Sequence, residues 1–426
     1  MKRILAALLA LMMLTCAAAW AEEAEDDIIV EDVLLDDDGE EIPFEPAVTG
    51  NEEVVFTPSY GSPYPASAGG SSYWTLPMDI TDEQAVWDML MEPITVVDPG
   101  GKTTVKSQIY LRQEPDEESK PVGEITCMSQ GLRVLETLDN GWSLVECYSS
   151  SFYTPRSKTK AWNLLVHGYV PTKYLKEIKP NPNLALVVDK LTQRVYVFQN
   201  GKLLSTLVCS TGLVMHNGKK YQPYNETRSG EFLMTSKVGD LVSDALICSL
   251  AIRFNGGDMI HEVPHVMMAD KKTKNYEKTE AKLGTKCSHG CIRVQRYKTP
   301  EGVSMRWIWD QLKNNSNTKI VIWEDWQGRQ LEYPADDTLV YYNPNGGQYY
   351  HSSADCGNKK KGITFEPFRY DQLDEGDFAK LSPCRWCTPP RRRAEIAEIN
   401  AVYAPGGDHE ELLNSLRQEY WDYLAE

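Results

Sequence analysis

Ser288-His289-Gly290-Cys291-Ile292-Arg293 is the stretch on which the reading of this chain turns. A cysteine is an effective nucleophile only as its thiolate, so it needs an imidazole or another cationic neighbour. Gly290 has no Cβ, so backbone N–H groups beside it can lie close to a reacting carbonyl and form an oxyanion hole. Arg293 stands two residues beyond Cys291. In extended backbone it shares the face of the cysteine, where it either holds a substrate carboxylate or braces the loop. Ser288 suits a local hydrogen bond, and His289 suits a catalytic role, either shaping the hole or a subsite or serving as the base. Because a lone cysteine is by default a small buried hydrophobe, the flanking sequence has to decide.

Working outward, residues 184–326 read as a β-rich unit. The run VVDKLTQRVYVFQNGKLL gives two strands around a hairpin at Asn200-Gly201. LLSTLVCSTG, GEFLMTSKV and IVIWEDW at 320–326 read as further strands, and VSMRWIWDQLK around 303–313 is the one good helix. Such a pattern is not that of a doubly wound α/β sheet.

The hexapeptide resembles that of the L,D-transpeptidase catalytic family (YkuD-like), over about the 140 residues of this unit. Ser210-Thr211-Gly212 is similar to the family's strand-ending turn, and Gly230-Glu231-Phe232 to its Gly-x-Phe element, though the usual preceding proline is replaced by Thr227-Arg228-Ser229. Met259-Ile260-His261 resembles the segment of the catalytic histidine. Leu283-Gly284-Thr285 and Trp307-Ile308-Trp309-Asp310 resemble its remaining elements, while the stretch from Arg293 to Trp307 is longer than usual. The resemblance implies a β-sandwich domain, with His261 activating Cys291 and no cofactor for catalysis. It implies attack on the third, diamino residue of a peptidoglycan tetrapeptide stem. A thioester then passes to an amine of a second stem as a 3→3 cross-link, or to water. Carbapenem-type β-lactams are the implied covalent inhibitors.

Before this unit, residues 102–178 alternate short β-rich runs with turns, among them Asn140-Gly141. Five short strands suit a small barrel. Leu111-Arg112 with Pro115, Gly141-Trp142 and Gly168-Tyr169-Val170 resemble bacterial SH3-like domains. Residues 73–101 form a short lead-in, where Thr81 with Gln84 resembles a capping box opening a helix through Trp87 and Leu90. Residues 22–72 are acidic, then rich in Gly, Ser, Pro and Tyr, and read as an unordered tether. Residues 1–21 have Lys2 and Arg3, an apolar run and Ala19-Trp20-Ala21. This is the pattern of a secretory signal cleaved after Ala21. An exported, extracellular or wall-associated protein is the expectation, with no membrane attachment after cleavage.

After it, residues 338–426 offer His351, Cys356, Cys384 and Cys387, then helical patterns at 391–403 and 408–425 split by Pro405-Gly406-Gly407. A CxxC knuckle with a His/Cys pair fits tetrahedral zinc of a structural kind, and the surroundings resemble Ada-like metal-binding domains. Disulfides are the alternative in an exported chain. Cys127 and Cys147, on neighbouring barrel strands, are one candidate pair.

The chain has 426 residues and a formal net charge of −17. That acidity is local: residues 22–101 carry 21 Asp and Glu and no Lys or Arg, and the rest is close to neutral. No basic excess points to nucleic acid. The whole is expected to be mainly β: an SH3-like barrel, an L,D-transpeptidase-type sandwich, and a small α+β zinc-binding-like unit. Two other functions stay open, an L,D-carboxypeptidase using the same thioester and a catalytically inactive wall-binding protein.

Overall fold

A computed structural model describes residues 77–104, 106–150, 159–216, 220–243, 245–312, 317–325, 329–357 and 362–426. The signal and tether expected at 1–72 lie outside them. The protein is mainly β, and none of its described helices is long and apolar enough to cross a membrane.

Seven strands make the first sheet: β1 (Ile94–Val97), β2 (Gln108–Arg112), β3 (Pro121–Thr126), β4 (Gly131–Thr137), β5 (Trp142–Tyr148), β6 (Leu165–Pro171) and β7 (Leu175–Ile178). Their order is β3-β2-β6-β5-β4-β1-β7. The sequence reading left Ile94–Val97 in a lead-in. Here it lies between β4 and β7, pairing Thr95 with both Leu132 and Glu177; Val97 enters the core of the first sheet, while Ile94 and Val96 pack on Leu233. The preceding helix α1 (Glu83–Met91) starts on Asp82, whose carboxylate accepts from the Ala85 N–H at 3.1 Å. Thr81 does not cap it, since its hydroxyl is taken by Asp79 at 2.7 Å.

The second sheet has nine strands: β8 (Leu184–Asp189), β9 (Arg194–Gln199), β10 (Lys202–Ser210), β11 (Gly230–Met234), β12 (Lys237–Ser243), β13 (Leu246–Asn255), β14 (Asp258–Glu262), β15 (Ile292–Val294) and β16 (Thr318–Trp323). They run in the order β11-β16-β8-β9-β10-β15-β14-β13-β12. Leu186, Val188, Val197, Phe232, Ile252, Ile260, Ile292 and Ile320 close one core, and helix α2 (Met305–Gln311) adds Met305 and Ile308 to it. The other face of β8, β9 and β16 is covered by α1, which presses Val86, Met89 and Leu90 onto Val187, Phe198 and Trp323. Burying each of these three side chains is worth about 1.5–3 kcal/mol. Lys319 on β16 ties the helix down. Its fully buried ammonium pairs with Glu231 at 2.6 Å and donates to the Met89 and Glu92 carbonyls at the end of α1, where a cation is favoured.

The third sheet is small, β19-β17-β18-β20, from β17 (Leu339–Tyr342), β18 (Tyr349–His351), β19 (Glu366–Arg369) and β20 (Ser382–Pro383). Helices α3 (Arg393–Val402) and α4 (Asp408–Ala425) follow. The sequence reading kept both helices with this unit, but α4 returns to the first sheet. Leu413, Leu416 and Tyr420 enter the core of Leu111, Val122 and Val166. The Tyr420 hydroxyl donates to the Val122 carbonyl at 2.6 Å, and Lys120 donates to the Tyr423 carbonyl at 2.6 Å.

A buried polar knot sits where these parts meet. Lys190 lies 2.8 Å from Glu226 and 3.2 Å from Glu324, and Lys286 lies 2.6 Å from Asp325. The first sheet contributes Asn163, which donates to Glu324 at 2.9 Å. The segment after α3 contributes Tyr403, which donates to Asp325 at 2.7 Å. Burial and its acidic neighbours lift the Glu324 carboxyl to about 7, against the opposing pull of Lys190. The two lysines drive Asp325 the other way despite its burial.

Candidate functional site

The parallel pairing of β14 with β15 sets Ile260 against Ile292, His261 against Arg293 and Glu262 against Val294. Ile260, Ile292 and Val294 point into the core. By strand alternation His261 and Arg293 share the opposite face, and Cys291, just before β15, falls on that face too. His261 is 1% exposed and Cys291 is half-buried. The His261 Nδ1 lies 2.7 Å from the Glu262 carbonyl. A carbonyl only accepts, so Nδ1 carries the proton and Nε2 keeps the lone pair. Burial, with a smaller contribution from the Arg293 charge, depresses this imidazole to about 4, against the pull of that hydrogen bond. At neutral pH it is an uncharged base.

The backbone of the hexapeptide is held by its neighbours. Cys287 and Ser288 both donate N–H to the Thr211 carbonyl, at 2.9 and 3.0 Å, and Leu213 donates to the Ser288 carbonyl at 2.9 Å. Gly212 has to be glycine here, since a Cβ would stand 1.8 Å from the Asn225 carbonyl oxygen. Its N–H donates to Thr227 Oγ1, which in turn donates to the Gly290 carbonyl, both at 2.8 Å. Ser288 Oγ donates to the Cys291 carbonyl at 2.5 Å and accepts from the Gly290 N–H at 3.3 Å. Gly290 has φ +116°, and a Cβ there would lie 2.4 Å from Asp258 Oδ1. Asp258 is itself paired with the buried Arg228, at 3.4 Å.

Ser288, Gly290, Cys291, Arg293 and His261 are thus brought onto one strand pair and the turn before it. His289 is exposed. Arg293 donates to Cys287 Sγ at 3.5 Å. The supporting roles of Thr227, Arg228 and Asp258 escaped the sequence reading, although an aspartate opening a buried strand, directly before Met259-Ile260-His261, already calls for a cation.

A second cluster lies in the C-terminal unit. Donor atoms of His351, Cys356, Cys384 and Cys387 all fall within 4.8 Å of one another. Cys356 Sγ and Cys384 Sγ are 3.7 Å apart, and Cys387 Sγ is 3.6 Å from His351 Nδ1. Tetrahedral zinc with Zn–S of 2.3 Å and Zn–N of 2.0 Å requires about 3.8 and about 3.5 Å for these edges. A disulfide needs about 2.05 Å. The knuckle N–H groups of Trp386 and Ser352 donate to Cys384 Sγ and Cys387 Sγ, each at 3.4 Å, and Phe365 stacks on His351 at 4.2 Å. The residues present therefore fit a metal. The nine described cysteines form no disulfide, so Cys127 and Cys147 do not pair. Both are fully buried, and burial pushes the Cys127 thiol up to about 12.

Residues 183–322 match the YkuD family, the L,D-transpeptidase catalytic domain. The chain thus contains a domain of that kind within a longer protein. No curated protein matches the chain. Among solved structures, a Xylanimonas cellulosilytica L,D-transpeptidase (residues 123–326) is 18% identical, covering 34% of this chain and 63% of its own, with a TM-score of 0.24. An L,D-transpeptidase from Mycobacterium smegmatis is 15% identical, covering 55% and 99%, with a TM-score of 0.24. L,D-transpeptidase 3 from Mycobacterium tuberculosis, in complex with a faropenem-derived adduct, is 14% identical, covering 46% and 94%, with a TM-score of 0.24.

Proposed function

We propose that this protein is an exported L,D-transpeptidase that cross-links peptidoglycan through a thioester on Cys291. His261 Nε2 takes the thiol proton. The thiolate attacks the carbonyl of the third stem residue, and the oxyanion is met by the Cys291 backbone N–H, joined by that of Gly290 as it leaves Ser288 Oγ. The C–N bond to the terminal D-alanine breaks, its amine leaves with the proton held by His261, and the acyl group stays on sulfur. An amine from a neighbouring stem then resolves the thioester, forming the 3→3 link and regenerating the thiol. Arg293 offers a cation for a donor carboxylate, Ser288 holds the turn, and the exposed His289 borders the entrance.

The observation that carries this reading is the β14–β15 register inside the matched domain. It puts a neutral imidazole, proton on Nδ1 and lone pair on Nε2, on the face of Cys291 and Arg293. Carbapenem-type β-lactams are expected to acylate Cys291 for the same reason. In the C-terminal unit His351, Cys356, Cys384 and Cys387 would hold zinc. With four protein ligands the site is closed, and zinc there supplies folding energy rather than chemistry. The test is mass spectrometry of purified tetrapeptide muropeptides after incubation with the enzyme. Cross-linked dimers are expected. Free tripeptide alone would make the enzyme a carboxypeptidase, and unchanged substrate would refute acyl transfer.

A further inference from the structure

The Cys/His cluster sits against the flank of the strand pair that carries His261 and Cys291. Between its two cysteines the knuckle places Arg385 and Trp386, and both reach the catalytic domain. The Trp386 ring stacks on Tyr297, with centroids 4.7 Å apart and planes at 22°. Gly357, next to Cys356, packs against the same indole, its Cβ direction 3.5 Å from the ring. The Trp386 backbone N–H donates to Cys384 Sγ, so the backbone that carries this side chain is tied to the cluster. Arg385 lies 3.9 Å from Glu280.

From these contacts two paths lead to the two side chains. Tyr297 follows β15 by three residues. The Arg296 guanidinium lies over the Tyr297 ring at 3.9 Å and over the Tyr276 ring at 4.5 Å, and bonds Glu280 at 2.5 Å. The Tyr276 hydroxyl donates to the Glu262 carboxylate at 3.2 Å, and it is the Glu262 carbonyl that fixes the His261 ring. On the other path Arg391, four residues beyond Cys387, donates to the Gly284 carbonyl at 2.8 Å and the Thr192 carbonyl at 3.3 Å. Gly284 hangs on the Cys209 carbonyl and opens the turn into Cys287 and Ser288.

We infer that the metal-binding knuckle is a positioning element for acyl transfer: loaded, it braces the Tyr276–Glu262 support of His261 and the Gly284–Ser288 turn that presents Cys291. Trp386 and Arg391 are its positioning residues, and neither is a ligand. The inference rests on the proposed roles of His261 and Cys291. Apart from the donors themselves, the local core is Phe365 with partly buried Tyr341, Ile363 and Trp386. So small a core needs a staple to keep its shape, and the knuckle transmits that shape only while it is closed.

The experiment uses the full chain reconstituted with zinc, the same protein after chelation, and Trp386→Ala, Arg391→Ala and Trp386→Phe. Zinc content, the rate of carbapenem adduct formation at Cys291, and hydrogen–deuterium exchange over 259–263 and 282–294 are measured on each. Chelation, Trp386→Ala and Arg391→Ala are expected to slow acylation about 10- to 100-fold, the scale set by misplacing reacting groups by up to about 1 Å. Exchange should rise in both segments. The two alanine variants should keep one zinc, and Trp386→Phe should recover most of the rate. Unchanged exchange and rate in the zinc-loaded alanine variants would overturn the inference, as would failure of the chain to bind zinc. A zinc-loaded wild type that forms no adduct would refute the proposed function instead, while the exchange data would still decide the coupling.

Discussion

Gly290→Ala tests the centre of the site. Two costs follow from the geometry. Glycine holds φ +116°, a conformation that costs other residues on the order of 1–3 kcal/mol. The added Cβ also meets Asp258 Oδ1 at 2.4 Å. The carboxylate has little freedom to retreat, because it is 3% exposed and paired with Arg228, which is itself pinned by the Tyr224 and Glu226 carbonyls at 2.9 and 2.8 Å. Separating a buried pair costs about 3–5 kcal/mol, so the backbone gives way instead and the Gly290–Cys291 N–H groups turn from their present direction. A loss of about 3 kcal/mol in stability is expected, with a 10²–10³-fold loss of acylation if these groups are the oxyanion donors. Gly346→Ala is the reference: φ is +96°, nothing lies within 4 Å of its Cβ direction, and only the backbone cost of about 1–3 kcal/mol remains, with acylation unchanged. Guanidinium unfolding and the rate of β-lactam adduct formation by intact mass read both quantities. A Gly290→Ala protein that acylates at the wild-type rate would refute the reasoning.

Cys291→Ala should abolish the adduct and leave the unfolding free energy within about 0.5 kcal/mol, since the half-buried thiol carries little packing; an adduct that persists or maps to Cys287 contradicts it. His261→Gln should slow acylation about 10²–10⁴-fold, more than His289→Ala, in the same assay. Because burial lowers the His261 value from 6.5 to about 4, the base stays neutral in mildly acidic solution, and its contribution to the rate should fall only as pH approaches 4. Stability follows the same sign: the unfolded chain takes up this proton below about 6.5 and the folded one only below about 4, so the contribution is intact above 6.5 and is lost as pH falls between those values, as pH-dependent denaturation measures. Lys190→Met removes a fully buried cation facing Glu226, Glu324 and Asp325 and should cost about 3–5 kcal/mol. A neutral result in chemical denaturation would mean the knot is not braced by that charge.

The mainly β character was legible because alternation and hairpin signals are local. Asn200-Gly201, for example, takes φ values of +51° and +84° as its hairpin requires. The kind of domain was legible because the hexapeptide comes with flanking elements at a set spacing, and the match over residues 183–322 agrees with that reading. What stayed hidden depends on distant partners. The spacing of Leu413, Leu416 and Tyr420 says that one face of α4 is buried, but not that it is buried on a sheet formed some 300 residues earlier. Arg228 and Asp258 lie 30 residues apart, and nothing in either segment names the other. Ile94–Val97 carries an apolar strand pattern without stating which sheet it joins, and Trp386 in a Cys-rich loop gives no hint of Tyr297.

The return of α4 to the first sheet also bears on the order of events in making the protein. The bond between Tyr420 and Val122 spans 298 residues, and Leu416 fills a core whose strand residues, Leu111, Val122 and Val166 among them, leave the ribosome long before it. The core of the first sheet is therefore closed only once α4 has been synthesised. Until then it exposes the apolar seat of Tyr420, and closing it demands a loop of nearly the whole described chain. Such non-local closure slows folding. The docked helix thus becomes a record that the polypeptide was translated through to Tyr420. A chain that stopped short of α4 would lack that lock.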